Sequence, residues 1–427
     1  MKRLNVLILA HEICPFSGSE CSIGWNTVSS LSKFHNLTVI HAKTNQNYSI
    51  NYQKNITTYT NQSNEIQNVN FISVSQPSIN MILSKINNLS SNYGIGFPFI
   101  YQFVYRFWQK KAFKISEKLV MQKKFNIVHQ LTSIHIINPG YGYKLKIPFV
   151  WGPTGGLIKL KKSFIKELGI KSRIRETFRN IYIDYVVNFS ANMRKALKKA
   201  ELIYLFSKED KKIVKPLTNA KLKLQIDTGT FKNVEFKKDF KSEISAIWVG
   251  SISDRKCPKI LLKSLIRTDF KGKRFKLIFV YTGLLTKDIE ELINILKNKI
   301  NVVLKNKISK QEVMNLMSSS SFMIHTSFRE AASAVILEAI SKGLPIICHD
   351  VSGMALAVNE KSGIKIPLIS YNKSISLFSE AINKLLENQD ILDEKRIATI
   401  ERANALSWEQ KGRIIAKDYI DIYEKYL

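Results

Sequence analysis

The stretch from Phe322 to Asp350 constrains the fold more than any other part of the chain. Phe322 to Ile324 is a short apolar run that predicts the end of a buried strand. A loop at 327–332 follows, and an apolar helix is then predicted from Ser333, as its N-cap, to about Lys342. Ile346 to Cys348 is apolar again. A strand, a loop, a helix and a second strand in this order predict one unit of a parallel α/β sheet.

Two acidic residues interrupt this otherwise apolar stretch. Glu330 lies in the predicted loop, and Glu338 lies inside the predicted helix. A lone carboxylate on such a helix is usually solvent-facing. The alternative is a carboxylate aimed at a polar ligand in the crevice outside the strand ends, where open α/β sheets bind ligands. Helical side chains lean toward the helix N-terminus, so Glu338 would then lean toward the loop that holds Glu330.

The same alternation of strand and helix runs through most of the chain. Apolar runs predict strands at 6–10, 37–41, 69–74, 125–130, 202–206, 244–249, 275–281 and 301–304, with another beginning at 147. Segment 44–68 is polar and predicts an irregular connection, and the polar stretch 227–242 predicts a linker. With 427 residues, the chain is long enough for two domains that each have their own core.

The lack of a recognisable targeting signal and the spacing of the cysteines both favour a cytoplasmic protein. No run approaches the roughly 18 to 20 apolar residues of a membrane-spanning helix. The N-terminus, MKRLNVLILAHE, predicts a first strand, because its apolar run is too short for a signal peptide and lacks a small-residue cleavage site. The four cysteines, at 14, 21, 257 and 348, show neither metal-ligand spacing nor a disulfide framework.

The net charge of +31 points to an anionic partner or to a large solvated surface. Between Lys159 and Lys215 there are 16 Lys or Arg and 6 Asp or Glu. A nucleic-acid partner is not expected, because zinc-finger spacing, an RNP-type motif and a helix-turn-helix signature are all missing. A peripheral contact with an anionic membrane and a merely solvated basic face both remain open. The aromatic and basic segment 92–114 predicts either a core helix or a helix at a membrane interface.

The Glu-x7-Glu spacing, followed by LEAISKGLPII and the turn Ser352-Gly353, resembles the retaining glycosyltransferases of family 4. This resemblance implies the GT-B fold, in which two Rossmann-like α/β domains face each other across a cleft. It also implies that Glu330 contacts the hydroxyls of the donor sugar and that Glu338 holds the ribose. The family often has Gly-Phe-Gly after the first Glu, whereas this chain has Ala-Ala-Ser, which ends at Ser333. The free amides at that helix start would suit a phosphate.

The first half of the chain carries the resemblance at two further places. Gly18 and Ser19 match the small-residue turn beside the donor phosphates in the family's first loop. His129 is predicted near the end of the strand 125–130, where a family His sits against the donor sugar. We therefore expect His129 to face the cleft at the carboxyl end of its strand.

The second half resembles the family again after the strand 244–249. The family has Gly-Arg-x4-Lys-Gly there, and its Arg and Lys clamp the donor diphosphate. Gly250 matches the first Gly and Lys256 the Lys, whereas Ser251 and Cys257 replace the Arg and the second Gly. A shielded diphosphate needs cationic partners, so Arg255 is expected to supply the missing charge.

These resemblances predict a retaining, hexosyltransferase-type enzyme that moves a sugar from a nucleotide-diphosphate donor to a glycan or lipid-linked acceptor in bacterial cell-surface polysaccharide synthesis. No D-x-D triplet occurs, so neither a catalytic metal nor another cofactor is expected. The alternatives are a sugar-nucleotide epimerase of the same fold and a non-catalytic nucleotide-sugar-binding protein. Residues 1–235 are expected to form an acceptor-binding domain and 236–407 a donor-binding domain, with 408–427 crossing back as a helix. The expected location is cytoplasmic, with the inner face of the cell membrane as the site of any peripheral contact.

Overall fold

The structure is a computed structural model that describes residues 2–18, 20–46, 48–63, 66–92, 98–231, 243–331 and 333–427. It contains two sheets, and every neighbouring pair of strands in both sheets is parallel. The predicted boundary between residues 235 and 236 lies outside the described residues. Within the described part of the chain, no helix is both long enough and apolar enough to cross a bilayer.

The first sheet has seven strands in the order β3-β2-β1-β4-β5-β6-β7. In chain order they are β1 Asn5–Ala10, β2 Asn36–Ala42, β3 Val69–Val74, β4 Ile127–Thr132, β5 Phe149–Thr154, β6 Ala200–Leu205 and β7 Lys221–Leu224. The helices between them are α1 Glu20–Ser32, α2 Tyr52–Gln62, α3 Ser78–Asn92, α4 Pro98–Gln122, α5 Lys162–Ile165, α6 Ile170–Phe189, α7 Ala191–Lys199 and α8 Lys208–Val214.

The second sheet has six strands in the order β10-β9-β8-β11-β12-β13. They are β8 Ile244–Ser251, β9 Phe275–Thr282, β10 Asn301–Asn306, β11 Phe322–His325, β12 Ile346–His349 and β13 Gly363–Ile366. The remaining helices are α9 Pro258–Arg267, α10 Lys287–Lys297, α11 Lys310–Ser318, α12 Ala334–Ser341, α13 Met354–Ala357, α14 Tyr371–Glu387, α15 Gln389–Ala405 and α16 Trp408–Tyr423.

Both sheets have the strand order of a doubly wound fold. Strands buried on both faces need helices on both sides, which explains the continuous apolar runs of β1 and β11. In each sheet the order reverses once, between β1 and β4 in the first and between β8 and β11 in the second. Ligands of open α/β sheets bind outside the carboxyl ends of the strands at such a switch point. The predicted two-domain, Rossmann-like α/β architecture is confirmed.

One segment predicted as irregular is helical. Helix α2 occupies Tyr52–Gln62, inside the polar segment 44–68. The side chain of Asn51 accepts a hydrogen bond from the Lys54 amide and caps the helix start. Tyr52 and Ile56, one turn apart, are its buried residues and dock it on the first sheet's cores. The prediction was wrong because Asn- and Thr-rich composition concealed this short apolar contact.

Helix α4 combines a buried face with an exposed one. Tyr105 and Trp108 are buried in the core of the first sheet, and the Trp108 indole donates to the Val74 carbonyl at 3.1 Å. Phe103 and Phe107 are exposed on its other side. The core interpretation of the segment 92–114 therefore holds for the inner face of α4, and residues 93–97 lie outside the described part of the chain.

Two elements pack on the sheet that they do not belong to. Around α5, the side chains of Leu160, Phe164 and Leu168 lie in the core of the second sheet. In the opposite direction, α16 packs against α1, and its Tyr419 lies in the core of the first sheet. The two halves of the chain thus share hydrophobic interfaces.

Candidate functional site

The carboxyl ends of β8 and β11 lie side by side at the switch point of the second sheet. The loop after β11 contains Glu330, and the loop after β8 contains Arg255 and Lys256. Glu330 Oε1 lies 2.5 Å from an Arg255 guanidinium nitrogen and 2.6 Å from Lys256 Nζ. Three predicted site residues from distant parts of the sequence are thus brought into direct contact.

The charges of this cluster do not cancel. Burial raises the pKa of Glu330, but the Lys256 and Arg255 cations outweigh it and lower that pKa to about 2. Burial lowers the pKa of Lys256, and the Glu330 carboxylate opposes that shift. With the carboxylate ionised and both cations charged, the cluster carries one surplus positive charge, which suits a diphosphate.

Hydrogen bonds hold the two loops together. Thr326 Oγ1 donates to the Lys256 carbonyl at 2.8 Å and accepts from the Trp248 indole at 3.1 Å. Ser327 Oγ donates to Glu330 Oε1 at 3.0 Å. At Gly250, an added Cβ would come within 2.9 Å of the Trp248 ring. The glycine therefore leaves room for the ring that anchors Thr326.

Two buried histidines at strand ends belong to the same neighbourhood and were not predicted. His325 ends β11, and burial lowers its pKa to about 3, with Lys256 contributing. One of its ring nitrogens, Nδ1, is buried with no hydrogen-bond partner in the described part of the chain. His349 ends β12, and its Nδ1 lies 3.0 Å from the Ser327 carbonyl. Their position as the last residues of apolar strands was the available sequence signal.

Ser333 lies directly before α12 with a positive φ of 63°. Ser333 holds the predicted N-cap position, but its side chain makes no capping hydrogen bond. The Ser333 hydroxyl instead lies 3.5 Å from His325 Nε2. A positive φ is unstrained for glycine and costs about 1 kcal/mol for other residues. The departure from Gly-Phe-Gly therefore leaves a strained backbone at the helix start.

Glu338 has a different partner from Glu330. It projects from α12 and pairs with Lys310 at the start of α11, at 3.0 Å. The Glu338 side chain is 22% exposed, whereas Lys310 is 78% exposed. The structure thus places Glu338 in a half-buried ion pair on the helix, while Glu330 is in the cation cluster.

The first sheet presents acidic groups to the same region. Glu20, at the start of α1, accepts a hydrogen bond from the Ile134 amide at 2.8 Å, and burial together with nearby Glu12 raises its pKa. Burial also raises the pKa of Asp227 to about 6, and both Glu330 and Glu20 are close enough to interact with that carboxylate. Asp227 therefore links the two strand-end regions electrostatically, and sequence analysis missed it because nothing local distinguishes it.

Gly18 lies exposed in the loop between β1 and α1, and an added Cβ there would meet nothing within 4 Å. This openness is compatible with close approach of a ligand to the backbone. Ser19, predicted together with Gly18, lies outside the described residues.

His129 does not face a cleft, so its predicted position was wrong. It lies inside β4 and is fully buried. One ring nitrogen, Nε2, contacts the Gly152 carbonyl, and the other, Nδ1, contacts the Tyr419 hydroxyl of α16. A carbonyl only accepts hydrogen bonds, so Nε2 donates and neutral Nδ1 accepts from the tyrosine. Burial lowers the pKa of His129 to about 4, consistent with a neutral, structural imidazole.

An ion pair joins the Glu330 loop to the first half of the chain. Both terminal nitrogens of Arg329 donate to Glu176 on α6, at 2.6 and 3.0 Å. Burial raises the pKa of Glu176, but hydrogen bonds and charge from Arg329 outweigh that effect and lower it. This bidentate pair fixes the loop relative to α6. Within the described part of the chain, no group of three or more His, Cys, Asp or Glu could hold a metal ion.

Comparison with known proteins gives a family match for the second half of the chain. Residues 231–405 match the family described as Glycosyl transferases group 1. A stretch of 166 residues is 25% identical to an uncharacterized glycosyltransferase of Methanocaldococcus jannaschii, covering 36% of this chain and 40% of that relative.

Similar solved structures span nearly the whole chain. Sucrose-phosphate synthase from Thermosynechococcus elongatus has a TM-score of 0.60 at 14% identity, covering 99% of this chain and 100% of that one. The Anabaena protein HepE, solved with UDP and glucose, has a TM-score of 0.56 at 12% identity, covering 98% and 100%. The chain therefore has the GT-B fold, and its segment 231–405 is similar to the family of glycosyl transferases group 1.

Proposed function

We propose that the protein is a retaining glycosyltransferase that transfers a sugar from a nucleotide-diphosphate donor to a glycan or lipid-linked acceptor. The observation that carries this proposal is the contact of Glu330 with Arg255 and Lys256 at the switch point of the second sheet. The group 1 match covers the same three residues. A partly buried site with surplus positive charge supports binding of a diphosphate rather than of a neutral sugar alone.

Each residue of the cluster has a distinct role in the proposed reaction. As the bond between the anomeric carbon and the β-phosphate oxygen breaks, negative charge grows on the departing diphosphate, and Lys256 and Arg255 stabilise it. The helix start near Ser333 offers amides to the same phosphates. The Glu330 carboxylate orients both cations and accepts hydrogen bonds from sugar hydroxyls.

The proposed bond to the acceptor forms on the face that the leaving group vacates. The acceptor hydroxyl oxygen bonds to the anomeric carbon, and its proton passes to the departing phosphate oxygen, so the configuration is retained. Glu338 would hold the donor ribose after exchanging its partner Lys310 for the sugar hydroxyls. His129 has no role in this proposal, because both of its ring nitrogens are engaged inside the core.

The proposed setting is cytoplasmic synthesis of a cell-surface polysaccharide, without a catalytic metal or other cofactor. The four cysteines are all free and buried, which supports a reducing compartment. The division into residues 1–235, 236–407 and 408–427 is proposed on the same resemblance. The location of the two sheets supports it, with β7 ending at Leu224 and β8 beginning at Ile244.

A donor screen tests the proposal first. We expect one nucleotide-diphosphate sugar to raise the melting temperature and the free nucleotide to raise it less, because a ligand that binds only the folded state stabilises it by mass action. UDP-sugars are the first to test, since the HepE structure contains UDP and glucose. Incubation of that donor with glycan and lipid-linked acceptors should then release nucleoside diphosphate and form a glycoside of retained configuration.

Two results would contradict the proposal. A new sugar nucleotide formed without an acceptor would identify an epimerase. Nucleotide binding with neither transfer nor hydrolysis across the acceptor panel would identify a non-catalytic binding protein. A Lys256→Met preparation is the control for contaminating activity, because it should lose the transfer reaction.

A further inference from the structure

Helix α6 is held firmly along its inner face. Glu176, Ile183 and Val186 are its buried residues. The Arg179 guanidinium donates to the carbonyls of Gly156 and Ile158, at 2.7 and 2.6 Å. These contacts fix the rotation of α6 about its axis, and they therefore fix which of its side chains face outward.

The outer face of the same helix is apolar and uncovered. Six apolar side chains, each between 53% and 73% exposed, lie there at intervals of three or four residues: Ile170, Ile174, Phe178, Ile181, Tyr185 and Phe189. This spacing aligns them in one stripe along the 20-residue helix. We call these six residues the α6 stripe. Contiguous exposed apolar surface of this kind marks an interaction site.

Cations border the α6 stripe. Lys171, Arg173 and Arg175 are exposed on the first two turns of the helix. More exposed cations lie on the flanking helices, at Lys162 on α5 and Arg194, Lys195 and Lys198 on α7. The two acidic residues of α6 are both paired, Glu176 with Arg329 and Asp184 with Lys159. The border of the stripe therefore carries net positive charge.

We propose that the α6 stripe docks on the surface of an anionic phospholipid bilayer. Aromatic and aliphatic side chains on one face with cations at the border are the pattern of a helix that lies in the membrane interface. A second copy of the chain fits less well, because a two-fold contact through the stripe would bring two positively charged borders together. Anionic headgroups complement that border.

Because α6 contacts the Glu330 loop, docking through α6 would set the position of the candidate site relative to the bilayer. Glu176 on its inner face holds Arg329, the residue next to Glu330. The bilayer would therefore lie along the side of the molecule next to the cation cluster. The docking proposal does not depend on glycosyl transfer, because binding to vesicles is measured without donor or acceptor.

Vesicle sedimentation tests the proposal. Vesicles of phosphatidylcholine with about one-third phosphatidylglycerol should bind the wild-type protein, and pure phosphatidylcholine should bind it much less. Phe178→Ser combined with Phe189→Ser should weaken binding to the anionic vesicles by about tenfold or more. The matched control, Leu284→Ser with Ile397→Ser, removes exposed apolar residues from the second half of the chain and should bind like wild type.

A fluorescence measurement keeps the test valid even if the double variant does not fold. All five native tryptophans are buried, so Phe178→Trp adds the sole exposed indole among the described residues. The emission of this introduced indole should shift to shorter wavelength on anionic vesicles, and brominated lipid should quench it. Equal vesicle binding by the stripe variant and wild type, or an unshifted emission from the introduced indole on bound vesicles, would overturn the proposal. A wild-type dimer that becomes monomeric in the stripe variant would also overturn it, in favour of self-association.

Discussion

The interior of β4 and the loop after β11 each hold a polar side chain near a switch point, fully buried in β4 and largely buried in the loop, but they use it differently. His129 in β4 is neutral, and its two nitrogens are satisfied by the Gly152 carbonyl and the Tyr419 hydroxyl. Glu330 in the loop is ionised and faces two cations. The first arrangement leaves no hydrogen-bonding capacity for a ligand, whereas the second retains surplus charge. Unbalanced charge, rather than burial of a polar group, therefore distinguishes the Glu330 loop as the candidate site.

The largest effect is expected from a substitution in the cluster of Glu330, Arg255 and Lys256. Lys256→Met should reduce the transfer rate by about 100- to 1000-fold, because it removes a cation that stabilises charge developing in the transition state. Initial rates with the donor found in the screen provide the measurement. Lys276→Met is the matched control, since Lys276 lies on β9 in an ion pair with Glu243, and it should retain activity within about twofold. Wild-type transfer by the Lys256 variant would remove the distinction between the two regions.

A substitution of His129 in β4 should lower the stability of the protein and leave nucleotide binding unchanged. His129→Phe leaves the Gly152 carbonyl and the Tyr419 hydroxyl without their partner and should lower the free energy of unfolding by about 2–4 kcal/mol, measured by urea titration.

The pH dependence of stability tests the same residue. Folded His129 has a pKa of about 4, below the ordinary value of 6.5. Between these values the unfolded chain binds more protons, so the wild-type protein loses stability as pH falls through that window. The variant should show a shallower loss. Weaker nucleotide binding at unchanged stability would instead indicate a role in the site.

The smallest effect is expected at Glu338. Its ion pair with Lys310 is partly exposed, so Glu338→Gln should change the free energy of unfolding by less than about 0.5 kcal/mol. If the carboxylate holds the ribose, the same change should weaken nucleotide binding by about tenfold, measured by titration calorimetry. Lys310→Gln is the matched control and should leave the affinity unchanged. If both variants bound the nucleotide as tightly as wild type, Glu338 would have no role in ribose binding and only the ion pair with Lys310 would remain.

The strands of the second sheet were predictable because parallel strands buried on both faces require apolar runs, as in β8 and β11. Glu330, Arg255 and Lys256 were singled out by the family resemblance instead, and the structure brings these three side chains into contact. The capping box of α11, formed by Ser309 and Glu312, is a similarly local feature. The strands and the capping box depend on residues that are close in sequence, whereas the contact of Glu330 with Arg255 and Lys256 joins two distant loops.

The misplaced and missed residues depend on distant partners. Tyr419, which engages His129, is 290 residues away in sequence, so no local pattern indicated that the imidazole was satisfied. Asp227 gains its raised pKa from burial among residues of both halves of the chain. Ser333 is a local case instead: it holds the predicted N-cap position, but its positive φ departs from the extended backbone that a capping serine usually adopts.

The packing of Phe164 limits where the chain can be cut into fragments that fold. Its ring lies 6.2 Å from Phe328, 6.1 Å from His349 and 6.0 Å from Tyr371, measured between ring centroids. A fragment that began at β8 would lack this ring, and the apolar residues that pack around it would be exposed to water. The second half of the chain should consequently be unsuited to expression as an isolated piece, and a graft of it onto the first half of another protein would have to carry residues 160–168 with it.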